Sequence, residues 1–164
     1  EIDPRAWRNG SFNEVQKTNF KNTELQTIRD GMLPAHWAMT GRSYSCSLEP
    51  HNPQFPQSLF VRFRGAICNN YYGKSDKVKI RMRIRGEGTL QLGWYCYDLD
   101  NGKPIHRKSM YFTKIEVNAK DWEDTSVIAD LPVFDMTKFA LVAAPKNKDG
   151  FIDVDEVYIT AEDK

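Results

Sequence analysis

Gly150-Phe151-Ile152-Asp153-Val154-Asp155-Glu156-Val157-Tyr158-Ile159 closes the chain and decides how the rest is read. Ile152, Val154, Val157 and Ile159 are apolar and β-branched, and carboxylates at Asp153, Asp155 and Glu156 interrupt them. A strand alternates faces, which groups Ile152, Val154 and Glu156 on one side and Asp153, Asp155 and Val157 on the other. No single alternation fits. The apolar set changes face near Asp155, which predicts a bulge or twist there and a carboxylate turned inward. An inward carboxylate needs a bound cation or several hydrogen bonds. The segment therefore reads as the closing strand of a β-sandwich, with Asp155 meeting Asn9-Gly10-Ser11-Phe12-Asn13-Glu14 across a metal.

Upstream, the same period recurs. Val78, Ile80, Met82 and Ile84 alternate with Lys77, Lys79, Arg81, Arg83 and Arg85. After Gly86-Glu87-Gly88, the residues Leu90, Leu92, Trp94 and Cys96 take the inward phase, and Gln91, Gly93, Tyr95 and Tyr97 the outward one. Leu59, Val61 and Phe63 alternate with Phe60, Arg62 and Arg64 in an earlier strand, which a loop at 69–73 ends. Asp-Asn-Gly at 100–102 is a hairpin signal. Further strands are expected at 6–8, 34–39, 43–48, 111–117, 122–129, 139–143 and 151–159, and Pro50, Pro53 and Pro56 mark an irregular loop. Residues 15–33 are polar and read as a long loop with a turn of helix at 23–29. Many short strands and no convincing helix mean an all-β, antiparallel β-sandwich or jelly roll.

With 164 residues, the chain fits one domain, 1–164. Its 23 Lys and Arg balance 22 Asp and Glu, so no global field favours nucleic acid or an anionic membrane. No stretch has the apolar length of a membrane-spanning helix, and Glu1-Ile2-Asp3-Pro4 lacks signal-peptide character, as in a mature or excised domain. Asn9-Gly10-Ser11 is a glycosylation sequon. The cysteines, Cys46, Cys68 and Cys96, lack metal-ligand spacing. Cys46 and Cys68 can bridge neighbouring strands, leaving Cys96 a buried thiol; three buried thiols are the alternative. Residues 145–156 half match an EF-hand loop, but Pro145 offers no side-chain oxygen at its first position and no helix flanks it.

The order of these motifs resembles the jelly-roll carbohydrate-binding modules of families 4, 9, 16 and 22. Asn-Gly-Ser-Phe comes first, then Pro34-Ala35-His36-Trp37, a Ser-Leu-Phe-Val strand and Lys-Val-Lys-Ile-Arg-Met-Arg-Ile-Arg-Gly-Glu-Gly. Asp98-Leu99-Asp100-Asn101-Gly102, Asp121-Trp122-Glu123 and the closing Ile-Asp-Val-Asp-Glu-Val complete the order. The resemblance runs along nearly the whole chain and implies a galactose-binding-like β-sandwich with a structural calcium. It places the calcium ligands at Asp155 and at Asn13, or Glu14 by a one-residue bulge. It also puts Trp37 and Trp122 in the core; Trp94 is core by its phase, and Trp7 is undecided.

Sugar rings stack on flat aromatic side chains held on a rigid strand. Tyr95 and Tyr97, with Gln91 in line and space beside Gly93, are the first candidates. Tyr71 and Tyr72 form a second possible contact. Arg62 and Arg64 could grip the carboxylates of an acidic polysaccharide. Arg81, Arg83 and Arg85 read better as a solvated face paired with acids such as Glu123 and Glu116. His36, His51 and His106 lie in no nucleophile or base context. The expected function is a non-catalytic module that targets a polysaccharide-degrading enzyme to its glycan. Such a module is a monomer, secreted or at the periplasm or cell surface, and excised from a larger glycoside hydrolase. A non-binding accessory sandwich packed on a catalytic domain, and a small polysaccharide lyase, are the alternatives.

Overall fold

Length decides the shape of the most regular strand. Lys77–Asp100 is 24 residues and straight would run about 80 Å, roughly twice the width of a domain of this size. It must bend. The bend falls where Gly86 and Gly88 take φ of 129° and 139°, values that only glycine adopts freely.

The computed structural model describes residues 3, 5–17, 26–28 and 32–162. Among these, β1 (Val15–Lys17) pairs with β3 (Met32–Pro34), and β2 (Gln26–Ile28) runs parallel to β4 (Trp37–Pro50). Then follow β5 (Leu59–Tyr71), β6 (Lys77–Asp100), β7 (Lys103–Asp130), β8 (Met136–Pro145) and β9 (Ile152–Ala161). The long strands β4 to β7 pass from one layer into the other. Before its glycines, β6 lies between β7 and β9; after them, it lies between β7 and β8. β5 does the same about Gly65, pairing β9 through Val61–Phe63 and β8 through Gly65–Tyr71. The first layer is thus built around β9 and the second around β8, in the expected antiparallel β-sandwich. The core between them holds Phe63, Ile67, Ile80, Leu90, Leu92, Trp94, Phe139, Leu141, Ile152 and Val154.

The bulge is where the sequence places it. Arg81 faces Tyr158 and Arg83 faces Asp155, so β9 sets Glu156 and Val157 against Met82 alone. Glu156 takes a left-handed φ of 49°. The inward carboxylate is not there, however. The extra residue absorbs the change of phase and returns Val157 to the core, so Asp153 and Asp155 both keep the outward phase.

The N-terminal turn plugs the sandwich. Phe12 stacks on Trp37 at 4.8 Å, and the carbonyl of Gly10 accepts the Val157 N–H at 2.8 Å. A Cβ on Gly10 would stand 1.9 Å from the Val157 oxygen, so only glycine fits. Asn9 gives its amide hydrogens to the carbonyls of Glu14 and Ala35 and accepts the Glu14 N–H. Buried and bonded in this way, the sequon asparagine leaves no room for a glycan in the folded chain.

Other expectations change. Residues 6–8 form no strand, and Asn69–Tyr71 continue β5 rather than looping. Of the expected helical turn, Gln26–Ile28 is strand and the rest lies outside the described residues. Trp7 packs edge-on against Trp37 and Phe139. Trp37 and Trp94 are core, but Trp122 lies on the outer face of the first layer, against His51 and Phe60. All three cysteines are free and buried. Cys96 is the buried thiol expected of it. Cys46 faces the core opposite Phe63, whereas Cys68 lies opposite Ala38 and on the other side of the sheet. Five residues of β5, about 16 Å, separate their levels, beyond the reach of a disulfide.

Candidate functional site

The outer face of the second layer carries the outward residues of β6 that follow its glycines. Tyr95 has the expected phase, yet it is only 8% exposed, packed with Cys68, Ala140 and Tyr97. Its hydroxyl lies 3.1 Å from that of Tyr111 and 3.5 Å from that of Thr40. Burial pushes its phenol well above the usual range. The assumption that outward meant open fails here, because neighbours on β5, β7 and β8 close over the ring. Tyr97 is half-buried, with the edge of His106 at 5.4 Å and the Lys138 ammonium 5.3 Å from its ring centre. Gln91, four residues from Tyr95 along the same face of β6, is half-buried.

The aromatic that is open here is Tyr111, 45% exposed on β7. The space beside Gly93 is not empty, because the Tyr111 ring lies across it; a Cβ on Gly93 would stand 2.6 Å from Tyr111 Cδ1. Sequence reading missed Tyr111, although a signal existed. Met110-Tyr111-Phe112 cannot all face inward from a strand, and Phe112 takes the core contact against Trp94 at 6.0 Å.

The arginines stand elsewhere. Arg62 precedes the Gly65 corner and so lies on the first layer, away from the tyrosines. It grips Asp153 with two hydrogen bonds of 2.9 and 3.1 Å, and Arg85 adds a third of 3.0 Å. The Asp153 hydrogen bond holds the Arg62 pKa above its usual value. Arg64 donates to the carbonyls of Asp149 and Gly150 and stacks 4.8 Å over Phe151. Arg83 meets Asp124 and Glu156 rather than Glu116 or Glu123. Tyr71 is core, 5.9 Å from Trp94, while Tyr72 is exposed with the Arg5 guanidinium 3.5 Å over its ring. The candidate sugar contacts therefore fall in three places.

The acids expected to hold calcium are otherwise engaged. Asp155 Oδ2 is 2.5 Å from His51 Nε2, and its Oδ1 accepts the Glu156 N–H at 2.8 Å. Desolvation pushes the Asp155 carboxyl up, against the opposing pull of His51 and that amide. Asn13 Oδ1 accepts the Leu59 N–H at 2.7 Å, and Glu14 is exposed. Among the described residues, no three His, Cys, Asp or Glu side chains converge as metal ligands. As arranged, these residues do not fit a calcium ion.

No family model matches the sequence, and no curated protein matches it. Solved structures do. The CBM22-2 xylan-binding domain from Paenibacillus barcinonensis superposes with a TM-score of 0.53 at 13% identity, over 78% of this chain and 92% of that one. The CBM22-1 xylan-binding domain of the same source gives 0.51 at 13%, over 91% and 89%. Their tandem gives 0.56 at 12%, over 79% of this chain but 46% of the tandem, so the chain spans less than half of that structure. The fold is the jelly roll of carbohydrate-binding modules. At this identity the likeness fixes the architecture and leaves the ligand to the residues on its faces.

Proposed function

We propose that this chain is a non-catalytic carbohydrate-binding module, with Tyr111 as the stacking platform on the outer face of the second layer. The observation that carries the reading is the Tyr111 ring, which packs its Cδ1–Cε1 edge against Gly93 and stays 45% exposed. A pyranose ring can lay its apolar face on such a surface. Tyr97, Gln91 and Lys138 on the same face supply hydrogen-bonding groups around it. The fold's match to two xylan-binding domains makes xylan the first ligand to test. On this reading, the module works outside the cell or at its surface, where polysaccharide is found, and accompanies a glycoside hydrolase. Calorimetry with xylohexaose and a panel of neutral oligosaccharides tests it. Binding that Tyr111→Ala weakens supports the assignment; no binding to any of them favours the accessory sandwich instead.

A further inference from the structure

The outer face of the first layer is organised in cross-strand rows. Ser126, Arg81 and Tyr158 stand side by side on β7, β6 and β9, and the next row brings together Asp124, Arg83 and Glu156. The bulge creates this alignment. Without its extra residue, strict alternation would keep Glu156 and Tyr158 in phase with Ile152 and Val154, on the core side; with it, both reach solvent. Glu156 bears the backbone cost, with its φ of 49°. Strain of this kind at a residue without glycine's freedom marks places where the surrounding structure needs it.

These six residues, with Met82 and Thr125, line an open cup of about 360 Å³, within the range of small-molecule sites. Its groups are not equivalent. Arg83 Nε lies 3.3 Å from Asp124 and its Nη1 3.9 Å from Glu156, so its charge is spoken for. Arg81, exposed in the adjoining row, has no ion pair, hydrogen bond or ring contact among the described residues. Tyr158 beside it is 46% exposed. The cup thus offers a free guanidinium and an aromatic face at one end and carboxylate acceptors at the other.

We infer that this cup binds a saccharide bearing a carboxylate, a uronic acid. The sugar carboxylate pairs with Arg81, which can take it with two parallel hydrogen bonds. The ring lies against Tyr158, and ring hydroxyls donate to Asp124 and Glu156. A neutral sugar would leave Arg81 unanswered, and a simple anion would leave the acids facing it. The cup faces away from the Tyr111 surface, so the two sites stand or fall separately.

NMR titration of the ¹⁵N-labelled protein with trigalacturonate and, separately, with xylohexaose tests this without any substitution. Trigalacturonate should shift the amides of Arg81, Ser126 and Tyr158, and xylohexaose should leave them in place. Arg81→Ala and Tyr158→Ala should each lower trigalacturonate affinity at least tenfold, and added salt should weaken wild-type binding. Both side chains are exposed, and each variant's spectrum reports whether its fold is intact. Tyr111→Ala should bind trigalacturonate like wild type. Absence of shifts at the cup, equal shifts with xylohexaose, or wild-type affinity in Arg81→Ala overturns the inference. Trigalacturonate binding at the cup, with no neutral oligosaccharide of the panel binding at Tyr111, would overturn only the earlier assignment of Tyr111.

Discussion

The ring of Tyr111 occupies the place of the side chain that Gly93 lacks. A Cβ there would meet Tyr111 Cδ1 and the Met110 carbonyl oxygen, each at 2.6 Å. Gly93→Ala should therefore displace the ring and strain β7, with a stability loss of about 1–3 kcal/mol. Tyr111→Ala leaves the core between the layers untouched but uncovers Tyr95 and removes its hydroxyl partner, so its melting temperature should fall only modestly. Its affinity for a bound neutral oligosaccharide should fall by about 1–3 kcal/mol. Thermal melts beside calorimetry separate the two effects.

Asp153 is shared by Arg62 and Arg85, and its side chain is nearly buried. Removing it strands two guanidinium groups, each about a third exposed, which softens the penalty. Asp153→Ala should cost about 1–3 kcal/mol, below the range for a fully buried pair. Arg62→Ala should act on stability and leave oligosaccharide affinity unchanged. A loss of sugar binding without a loss in urea midpoint would contradict that assignment.

His51 and the Glu156 amide occupy the carboxylate oxygens of Asp155. His51→Ala takes a partner from a buried carboxylate, with an expected cost of about 1–3 kcal/mol. Since a metal bound only to the native state would raise the melting temperature by mass action, melts in chelator and in calcium should coincide. A rise with calcium would mean that His51 gives way to an ion.

Burial pushes the Cys46 thiol up to about 12 and the Cys68 thiol up to about 11. The native protein should resist a thiol reagent near neutral pH, and the denatured chain should react at all three cysteines. The sign for stability follows. A raised folded pKa leaves stability whole below the unfolded value of 9.0 and removes it as pH climbs toward 12. Cys46→Ala should flatten that alkaline decline, measured as melting temperature against pH.

The alternation in β6 was readable on both sides of its bend, because a sandwich strand with one buried face needs it. So were the β9 bulge and the hairpin at Asn101, whose φ is 52°. What could not be read was which layer an outward residue faces. That depends on where β5 and β6 turn, and it separates Arg62 from Tyr95. Nor does phase give exposure. Tyr95 is outward but sealed by Tyr111, Cys68 and Ala140, which arrive from three other strands. Trp122 errs the other way, since Asp-Trp-Glu does not reveal that His51, Phe60 and Arg85 would shelter it outside the core.

Synthesis runs in one direction, and among the described strands β9 is made after the other eight. It is also the strand that joins Val61–Phe63 of β5 to the first half of β6. Until it emerges, the layer around it has a gap with two raw hydrogen-bonding edges, each able to recruit a strand from another chain. The second layer can assemble earlier around β8, and the first must wait. Truncation before Ile152 should therefore yield aggregation during expression rather than a smaller folded domain. The ten residues of β9 decide whether the strands made before it stay soluble.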